Sequence, residues 1–446
     1  MKVSRISLGG SYEPKIVMRE ALYEEREPLP AQLRLLAQIG NHRYQDLVAA
    51  SMFRHLTLAE AFTATCYVLR ASNAELNRRF FNGVLPSFGE EGDRMAAREM
   101  LSGLAMKEAW NHLTPDEVAG MVMAAMLDVT YYPNYGERVL ETCGMGGDRG
   151  VIVNGSMGRR KTINASTLSA LVLASLGYRT AKHGSYGNTS AVGSTNAIEA
   201  LGVVTDLPTR IGQQRLADTN FHYSDAHGYK TIHDLSHLEP RRETVNHVIG
   251  PMTPPIRPGT RLDKVIGVNE KLHPSIMARA YALLAKHGIF TVGNVVAVCG
   301  LDTVIESGDI NLHPRIREHT VLDELSPFSS VVSFCHGQEF AGSFLLTPQD
   351  FGVTFKDPYS IFVHNDEATI MAANRLALSG KDDGTQLVES LAMNAALALY
   401  LVEYMDDDNN IATHGPDRDI LHTCYTKCVN ALREGRTQAF LADMIR

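Results

Sequence analysis

The sequence predicts an α/β fold with a mostly parallel central sheet, preceded by a helical segment. Three observations carry that reading. From Leu33 to about Tyr132 apolar residues recur at helical spacing. Near residue 138 the pattern changes to short apolar strands alternating with capped helices. The chain of 446 residues is long enough for two or three domain-sized units.

The elements follow in order. Residues 1–30 are a mixed, charged lead-in with Pro28 and Pro30 near its end. In the helical segment, Thr114-Pro115-Asp116-Glu117 is the best start signal: Thr114 caps, Pro115 suits the first helical position, and Glu117 completes a capping box. Val118, Met121, Val122, Ala125 and Met126 then share one face, which is assigned to core. Residues 139–143 are a strand candidate running into Gly144-Met145-Gly146-Gly147-Asp148. Asn164-Ala165-Ser166-Thr167 opens an apolar helix over 168–176, which Gly177 ends. Residues 178–181 form the next strand and lead to Lys182-His183-Gly184. Strand, glycine turn, helix and strand make a βαβ unit with a right-handed crossover. Later strands are expected at 264–268, 292–298 and 330–333, with a helix over 276–285. The C-terminal third is expected to be mostly helical, over 368–377 (closed by Gly380) and 387–404, with Asp406-Asp407-Asp408 a solvated loop.

Composition narrows the function classes. Hydrophobic residues at 44% and charged residues at 21% suit a folded globular chain rather than a disordered one. A formal charge of −8 argues against a wide basic face for nucleic acid. No apolar run reaches the roughly 20 residues of a membrane span, and MKVSRISLGG carries no secretory apolar core. Six cysteines are too sparse for a disulfide scaffold, so a reducing, cytoplasmic setting is expected.

Two places can carry chemistry. The Gly144–Asp148 turn lies between a strand and a helix start, where backbone N–H groups and the helix dipole favour phosphate. It is neither the dinucleotide fingerprint, whose third glycine would fall at Arg149, nor a Walker A loop. Asn164, Ser166 and Thr167 can each cap the helix or hold a phosphate. Lys182, His183 and Gly184 end the neighbouring strand, where ligands of open α/β sheets collect. The second place is Asp323-Glu324. These acids either begin a helix or, with phosphate oxygens, hold magnesium. Both readings stand on the residues alone.

Taken together, these motifs resemble the anthranilate phosphoribosyltransferase family, whose usual forms are GTGGD, N-x-S-T and KHGN. The likeness continues in register through Asn188-Thr189-Ser190-Ala191-Val192-Gly193-Ser194 to Glu199-Ala200-Leu201-Gly202. It extends to Gly250-Pro251-Met252-Thr253, to Leu346-Thr347-Pro348-Gln349-Asp350-Phe351-Gly352, and to Met393-Asn394-Ala395-Ala396, so that it spans roughly residues 114–446. The resemblance implies a small helical domain hinged to a larger α/β domain, and a homodimer formed through the helical part. The implied boundaries are an extension over 1–30, a helical domain over 31–133 with part of 204–245, and a donor-binding α/β domain over 134–203 and 246–446.

The implied activity is magnesium-dependent transfer of a 5-phosphoribosyl group from phosphoribosyl pyrophosphate to a nitrogen of a small aromatic or heteroaromatic acceptor. Carried over residue by residue, the donor would meet Gly144, Gly146, Gly147, Asp148, Thr162, Asn164, Ser166, Thr167, Lys182, Gly184, Ser190 and Ser194. Magnesium would meet Ser166, Asp323 and Glu324. Lys182 is expected against the phosphates, and His183 is the one histidine weighed as a proton acceptor. The acceptor would meet His183, Ser185, Tyr186, Arg242 and Glu243.

The departures fall mainly in that last group. Ser185, Tyr186 and Glu243 stand where the family has Asn, Arg and Arg, with Arg242 adjacent. A glutamate opposite an anthranilate carboxylate would repel it, so a neutral or amine-bearing acceptor is expected instead. Two insertions, about 149–160 and 302–320, flank the donor motifs, and Asn154-Gly155 suggests a hairpin tip in the first. The rivals are a nucleoside phosphorylase of the same fold and a non-catalytic relative that binds nucleic acid or protein; the acid pair and the net charge disfavour them. Three smaller features are expected to be structural or peripheral. His422, Cys424 and Cys428 lack a fourth zinc ligand. The His222, His227, His233, His237 and His247 cluster suits acceptor contact or surface better than metal. Arg159-Arg160-Lys161 is either a phosphate contact or a solvated run.

Overall fold

The computed structural model describes residues 27–445 apart from 111, 130–132, 154–157, 188–189, 227–244, 306–309, 311–312, 382, 406–410 and 412–414. Its strands are β1 (Arg138–Gly144), β2 (Arg160–Lys161), β3 (Thr180–Gly184), β4 (Phe221–Asp225), β5 (Arg261–Gly267), β6 (Thr291–Leu301), β7 (Thr320–Leu322), β8 (Ser330–His336), β9 (Glu339–Leu346) and β10 (Val363–His364). The main sheet runs β4-β3-β1-β5-β6-β8-β9, with β7 also on β6. From β4 to β6 all pairs are parallel, while β7, β8 and β9 are antiparallel. From β1 the chain crosses to β3 on one side, and β5 lies on the other, so β1 sits at the topological switch point where open sheets hold ligands.

The pleat divides the core. Val139, Leu262, Ile266, Val295 and Ala297 face one layer, and Leu140, Val296, Val298 and Val332 face the other. The first layer is continuous with the N-terminal helices Leu58–Ser72, Gly89–Trp110 and Pro115–Ala125, through the helix Pro274–Lys286. The second is filled by Ala165–Ser175, Leu387–Glu403 and Arg418–Arg433. Leu387–Glu403 reads as apolar on nearly every face because helices and sheet enclose it. Among the described residues, no helix is long and apolar enough to cross a membrane.

The expected elements form, with informative shifts. Gly177, at φ 98°, ends the helix, and β3 then starts at Thr180 rather than 178 and runs through Gly184. Lys182-His183-Gly184 therefore belong to the strand, because β4 pairs with all five residues of β3. Strand β9 was not legible: most of it is half-exposed, and Gly342 at φ 122° interrupts its alternation. In the first insertion, Val151 and Arg160 pair antiparallel, as a hairpin stem would, although Asn154-Gly155 lie outside the described residues. Of 204–245, the helix Thr209–Thr219 packs on β4 and so joins the α/β layer. Asp406-Asp407-Asp408 also lie outside the described residues.

The Thr114 capping box forms and does more than cap. Glu117 is fully buried, accepts hydrogen bonds from Thr114 N–H at 2.8 Å and Leu56 N–H at 2.6 Å, and pairs with the buried Lys107 ammonium. One carboxylate thus ties together three segments of the helical layer. Replacing Glu117 by Ala leaves the Lys107 ammonium buried without its carboxylate, and is expected to cost about 3–5 kcal/mol. The measurement is the urea midpoint of the variant against wild type, and an unchanged midpoint would refute the assignment.

Candidate active site

The cavity at the switch point, of about 210 Å³, opens at the carboxyl ends of β1 and β3. Its floor is the glycine turn after β1. Gly146 and Gly147 both take φ 67°, a left-handed conformation that glycine adopts without penalty. The turn closes directly on Asp323. Gly146 N–H donates to Asp323 Oδ2 at 2.7 Å, and Asn269 Nδ2 holds the Gly146 carbonyl at 2.9 Å. A Cβ on Gly144 would lie 2.2 Å from Asp323 Oδ2, and one on Gly267 only 1.6 Å from the Asp323 carbonyl oxygen. Glycines at the ends of β1 and β5 therefore make the room in which the acid sits.

The two insertions deliver that acid pair. Arg149 donates to the carbonyls of Arg317 and Thr320 at 3.0 and 2.7 Å, at the end of the helix His313–His319. Gly150 N–H binds the Val321 carbonyl at 2.8 Å, so β7 is pinned two residues before Asp323. Asp323 and Glu324 both stand half-buried at the cavity. Burial, then the nearby Asp148 carboxylate, pushes Asp323 up to about 6. Burial, then Asp323, holds Glu324 well above the usual range. Thr162 donates its hydroxyl to Glu324, and the Lys161 ammonium binds Asp148 Oδ1 at 2.8 Å. Of the Arg159-Arg160-Lys161 run, then, Lys161 reaches the site as the counter-ion of Asp148.

Of the expected donor residues, Gly144, Gly146, Asp148, Thr162, Asn164, Ser166, Gly184, Ser190 and Ser194 line the cavity. Gly147, Thr167 and Lys182 do not. Thr167 is buried and donates to Ser194 Oγ at 3.1 Å, bracing a cavity residue from behind. Asn164 occupies the cap position without a side-chain cap; its Oδ1 instead accepts from Asn374 Nδ2 at 2.8 Å, its Nδ2 donates to the Val192 carbonyl at 3.2 Å, and its backbone N–H donates to Asn374 Oδ1 at 2.9 Å. Lys182 is 1% exposed, and its ammonium donates to the His183 carbonyl at 2.6 Å. Burial lowers its pKa from the ordinary lysine value. Lys182 does not itself line the cavity, but its ammonium lies 4.0 Å from the Sγ of Cys143, which does.

On the acceptor side, His183, Ser185 and Tyr186 line the cavity, while Arg242 and Glu243 lie outside the described residues. The Tyr186 hydroxyl donates to Glu199 Oε1 at 3.1 Å, which leaves its ring as a wall. His183 is held at both nitrogens. Nε2 donates to the Gly250 carbonyl at 3.0 Å, and Nδ1 lies 2.8 Å from Glu141 Oε1. The other Glu141 oxygen binds the Lys264 ammonium, and both of these charges are fully buried. A carbonyl can only accept, so the Nε2 proton is committed, and His183 in this arrangement is a fixed donor rather than a proton acceptor.

Sequence reasoning missed Glu141 and Lys264 altogether; an acid and a lysine inside apolar strands were the available signal. It gave His247 only as one of a histidine cluster at the acceptor or the surface, and left Asn246 unassigned, though both line the cavity beside Gly250 and Pro251. Among the described residues, one group of three possible metal ligands converges: Glu141, Cys143 and His183. Lys264 and the Gly250 carbonyl already occupy two of them, which argues against a cation there. Cys424 and Cys428 are buried thiols, and His422 Nδ1 is bonded to the Phe351 carbonyl at 2.9 Å, so that trio is structural. His222 is buried with its pKa lowered to about 4 by desolvation, and the rest of its expected cluster apart from His247 lies outside the described residues.

A largely parallel sheet with a glycine turn and an acid pair at its switch point suits an enzyme that acts on a phosphorylated ligand. Residues 136–435 match the sequence model described as "Glycosyl transferase family, a/b domain". The chain belongs to that family, and within it to the anthranilate phosphoribosyltransferases as a divergent member; it is a phosphoribosyltransferase. It is 30% identical to the anthranilate phosphoribosyltransferase of Actinobacillus pleuropneumoniae serotype 5b over 311 residues, covering 68% of this chain and 80% of that one. The enzyme of the same description from Histophilus somni is 29% identical over 314 residues, with the same coverage. The crystal structure of that enzyme from Thermus thermophilus superposes with a TM-score of 0.62 at 21% identity, covering 90% of this chain and 98% of the other. The Saccharomyces cerevisiae enzyme, solved in complex with PRPP and Mg, gives 0.58 at 18% identity, with 93% and 96% covered. These two structural likenesses bear on the fold.

The raised Asp323 has a consequence for stability. Its ordinary value is 3.8, so between about pH 4 and 6 the unfolded chain releases this proton while the folded chain keeps it. The contribution of Asp323 is therefore full below pH 4 and is lost as the pH rises through 6, the reverse of a salt-bridged acid. In chelator, thermal unfolding of wild type should lose stability between pH 4 and 7 relative to Asp323→Asn. Parallel curves for the two proteins would contradict the burial of an ionisable group there.

Proposed function

We propose that the enzyme moves a 5-phosphoribosyl group from phosphoribosyl pyrophosphate to a nitrogen of a neutral or amine-bearing aromatic acceptor, with magnesium on the donor. The observation that carries this reading is the acid pair held against the glycine turn. Half-buried carboxylates with raised pKa values and little local positive charge suit a divalent cation, which would stabilise their ionised forms. Asp148, Asp323 and Glu324 do not converge on one point among the described residues, so they are not a closed cage. That suits magnesium, which is commonly bound through one or two carboxylates with substrate phosphate and water completing its shell. Asp323 and Glu324 would hold it, with Ser166 beside them. When bound, it would neutralise the departing pyrophosphate. The glycine turn supplies backbone N–H groups, and Ser166, Ser190 and Ser194 supply hydroxyls to orient the donor.

The double variant Asp323→Asn with Glu324→Gln should lose the magnesium-dependent thermal shift produced by phosphoribosyl pyrophosphate. A shift retained in full by a folded variant would remove the acid pair from the donor site.

The acceptor follows from the other wall. Among the described residues, the single cationic side chain facing the cavity is Lys161, and it is paired with Asp148. No described guanidinium stands ready to pair a carboxylate. Tyr186, Ala226, Asn246 and Pro251 offer an aromatic face, apolar contact and an amide. Anthranilate is therefore expected to be a poor acceptor beside its uncharged amide, 2-aminobenzamide, by about tenfold or more in kcat/KM. Steady-state kinetics with both compounds at saturating donor and magnesium make the comparison. Anthranilate turnover within roughly 10⁴–10⁸ M⁻¹s⁻¹ would overturn it.

A further inference from the structure

Resting on that reading, we propose that His247 is a catalytic residue whose Nε2 takes the proton from the attacking acceptor nitrogen. Two histidines line the cavity, and the geometry separates them. His183 has both ring nitrogens committed, to Glu141 and to the Gly250 carbonyl. His247 Nδ1 lies 3.1 Å from the Met145 carbonyl oxygen. That oxygen can only accept, so Nδ1 carries the proton, and in the neutral ring the lone pair falls on Nε2. Among the described residues, Nε2 has no hydrogen-bond partner. Burial pushes the imidazole pKa down, against the opposing effect of the Met145 bond, which keeps the ring neutral and able to accept.

The position suits the task. His247 stands on the short helix Asn246–Ile249, directly before the Gly250-Pro251 wall of the cavity. Its bond to Met145 ties it to the same glycine turn that seats Asp323 through Gly146. The ring is thus fixed on the border between the donor floor and the acceptor wall.

The step balances as follows. The acceptor nitrogen uses its lone pair to form a bond to C1 of the phosphoribosyl group. The C1–O bond to pyrophosphate breaks, and its electron pair leaves on the pyrophosphate oxygen. The N–H proton passes to His247 Nε2 and is later released to water. Proton removal of this kind contributes about 10²–10⁴-fold in rate.

The first test is ¹⁵N NMR of the histidine-labelled full chain at pH 7, with the His247 signals identified by their loss in His247→Gln. A protonated Nδ1 and a bare Nε2 are expected, and a proton on Nε2 overturns the proposal whether or not an acceptor has been found. The second test follows turnover of 2-aminobenzamide and of benzimidazole with magnesium and phosphoribosyl pyrophosphate. His247→Gln should lower kcat about 100-fold while keeping the donor-induced thermal shift, and free imidazole should restore part of the rate in His247→Gly. A variant within about threefold of wild type overturns the assignment of His247 alone. Absence of any donor-induced shift in wild type overturns the phosphoribosyl reading, and this proposal with it.

Discussion

The structure depends on seating one carboxylate, Asp323, in a space that only glycine leaves open. Gly144 and Gly267 end neighbouring parallel strands in register, and a methyl group on either would collide with Asp323. The Gly146 N–H then fixes the acid from the cavity side. Everything that delivers Asp323 follows from this fit: β7 on β6, the Arg149 guanidinium across the end of the preceding helix, and Gly150 on Val321. The two insertions that set this chain apart from the usual family pattern are therefore working parts of one brace. They hold an acid whose burial disfavours its own ionised form, a tension that a cation at the site would relieve.

A second buried charge group lies under the other half of the cavity. Register places Glu141 beside Lys264, and His183 stands two residues beyond Ala181, the β3 partner of Glu141. Pairing satisfies the buried charges, and losing either partner would leave the other uncompensated at a cost of about 3–5 kcal/mol. The result is an imidazole that is oriented and engaged. Holding His183 this way stiffens the floor between β1, β3 and β5, and it leaves His247 as the cavity histidine whose remaining ring nitrogen can accept. The two sides of the cavity thus rest on two different polar networks joined by the turn at Gly144–Asp148.

Much of this was legible in the sequence, and the limits have identifiable physical causes. The strands near 139, 264 and 292 announce themselves as short apolar runs, the helix at 115 by its cap and periodicity, and the helices at 165 and 387 as longer apolar runs. The donor motifs were readable because a phosphate-binding turn needs glycine at particular backbone positions, which leaves a local signature. The side of β3 that Lys182 takes was not legible, because a lysine near a strand end looks the same in sequence whichever face it takes. Lys264, Glu141 and His247 carried no local signature, since each gains its meaning from a partner at least 42 residues away.

The sequence by itself determined the class of fold, the identity of most elements, the family and which glycine turn forms the cavity floor. These are set by short-range chemistry: periodicity, caps and glycine turns. Tertiary structure alone decided which residues of β3 face the cavity, which acid meets which lysine, and which histidine keeps a free nitrogen. Those outcomes depend on strand register and pleat parity, where a shift of one residue sends every side chain to the opposite face. Packing of the whole sheet fixes that register, and no single segment encodes it.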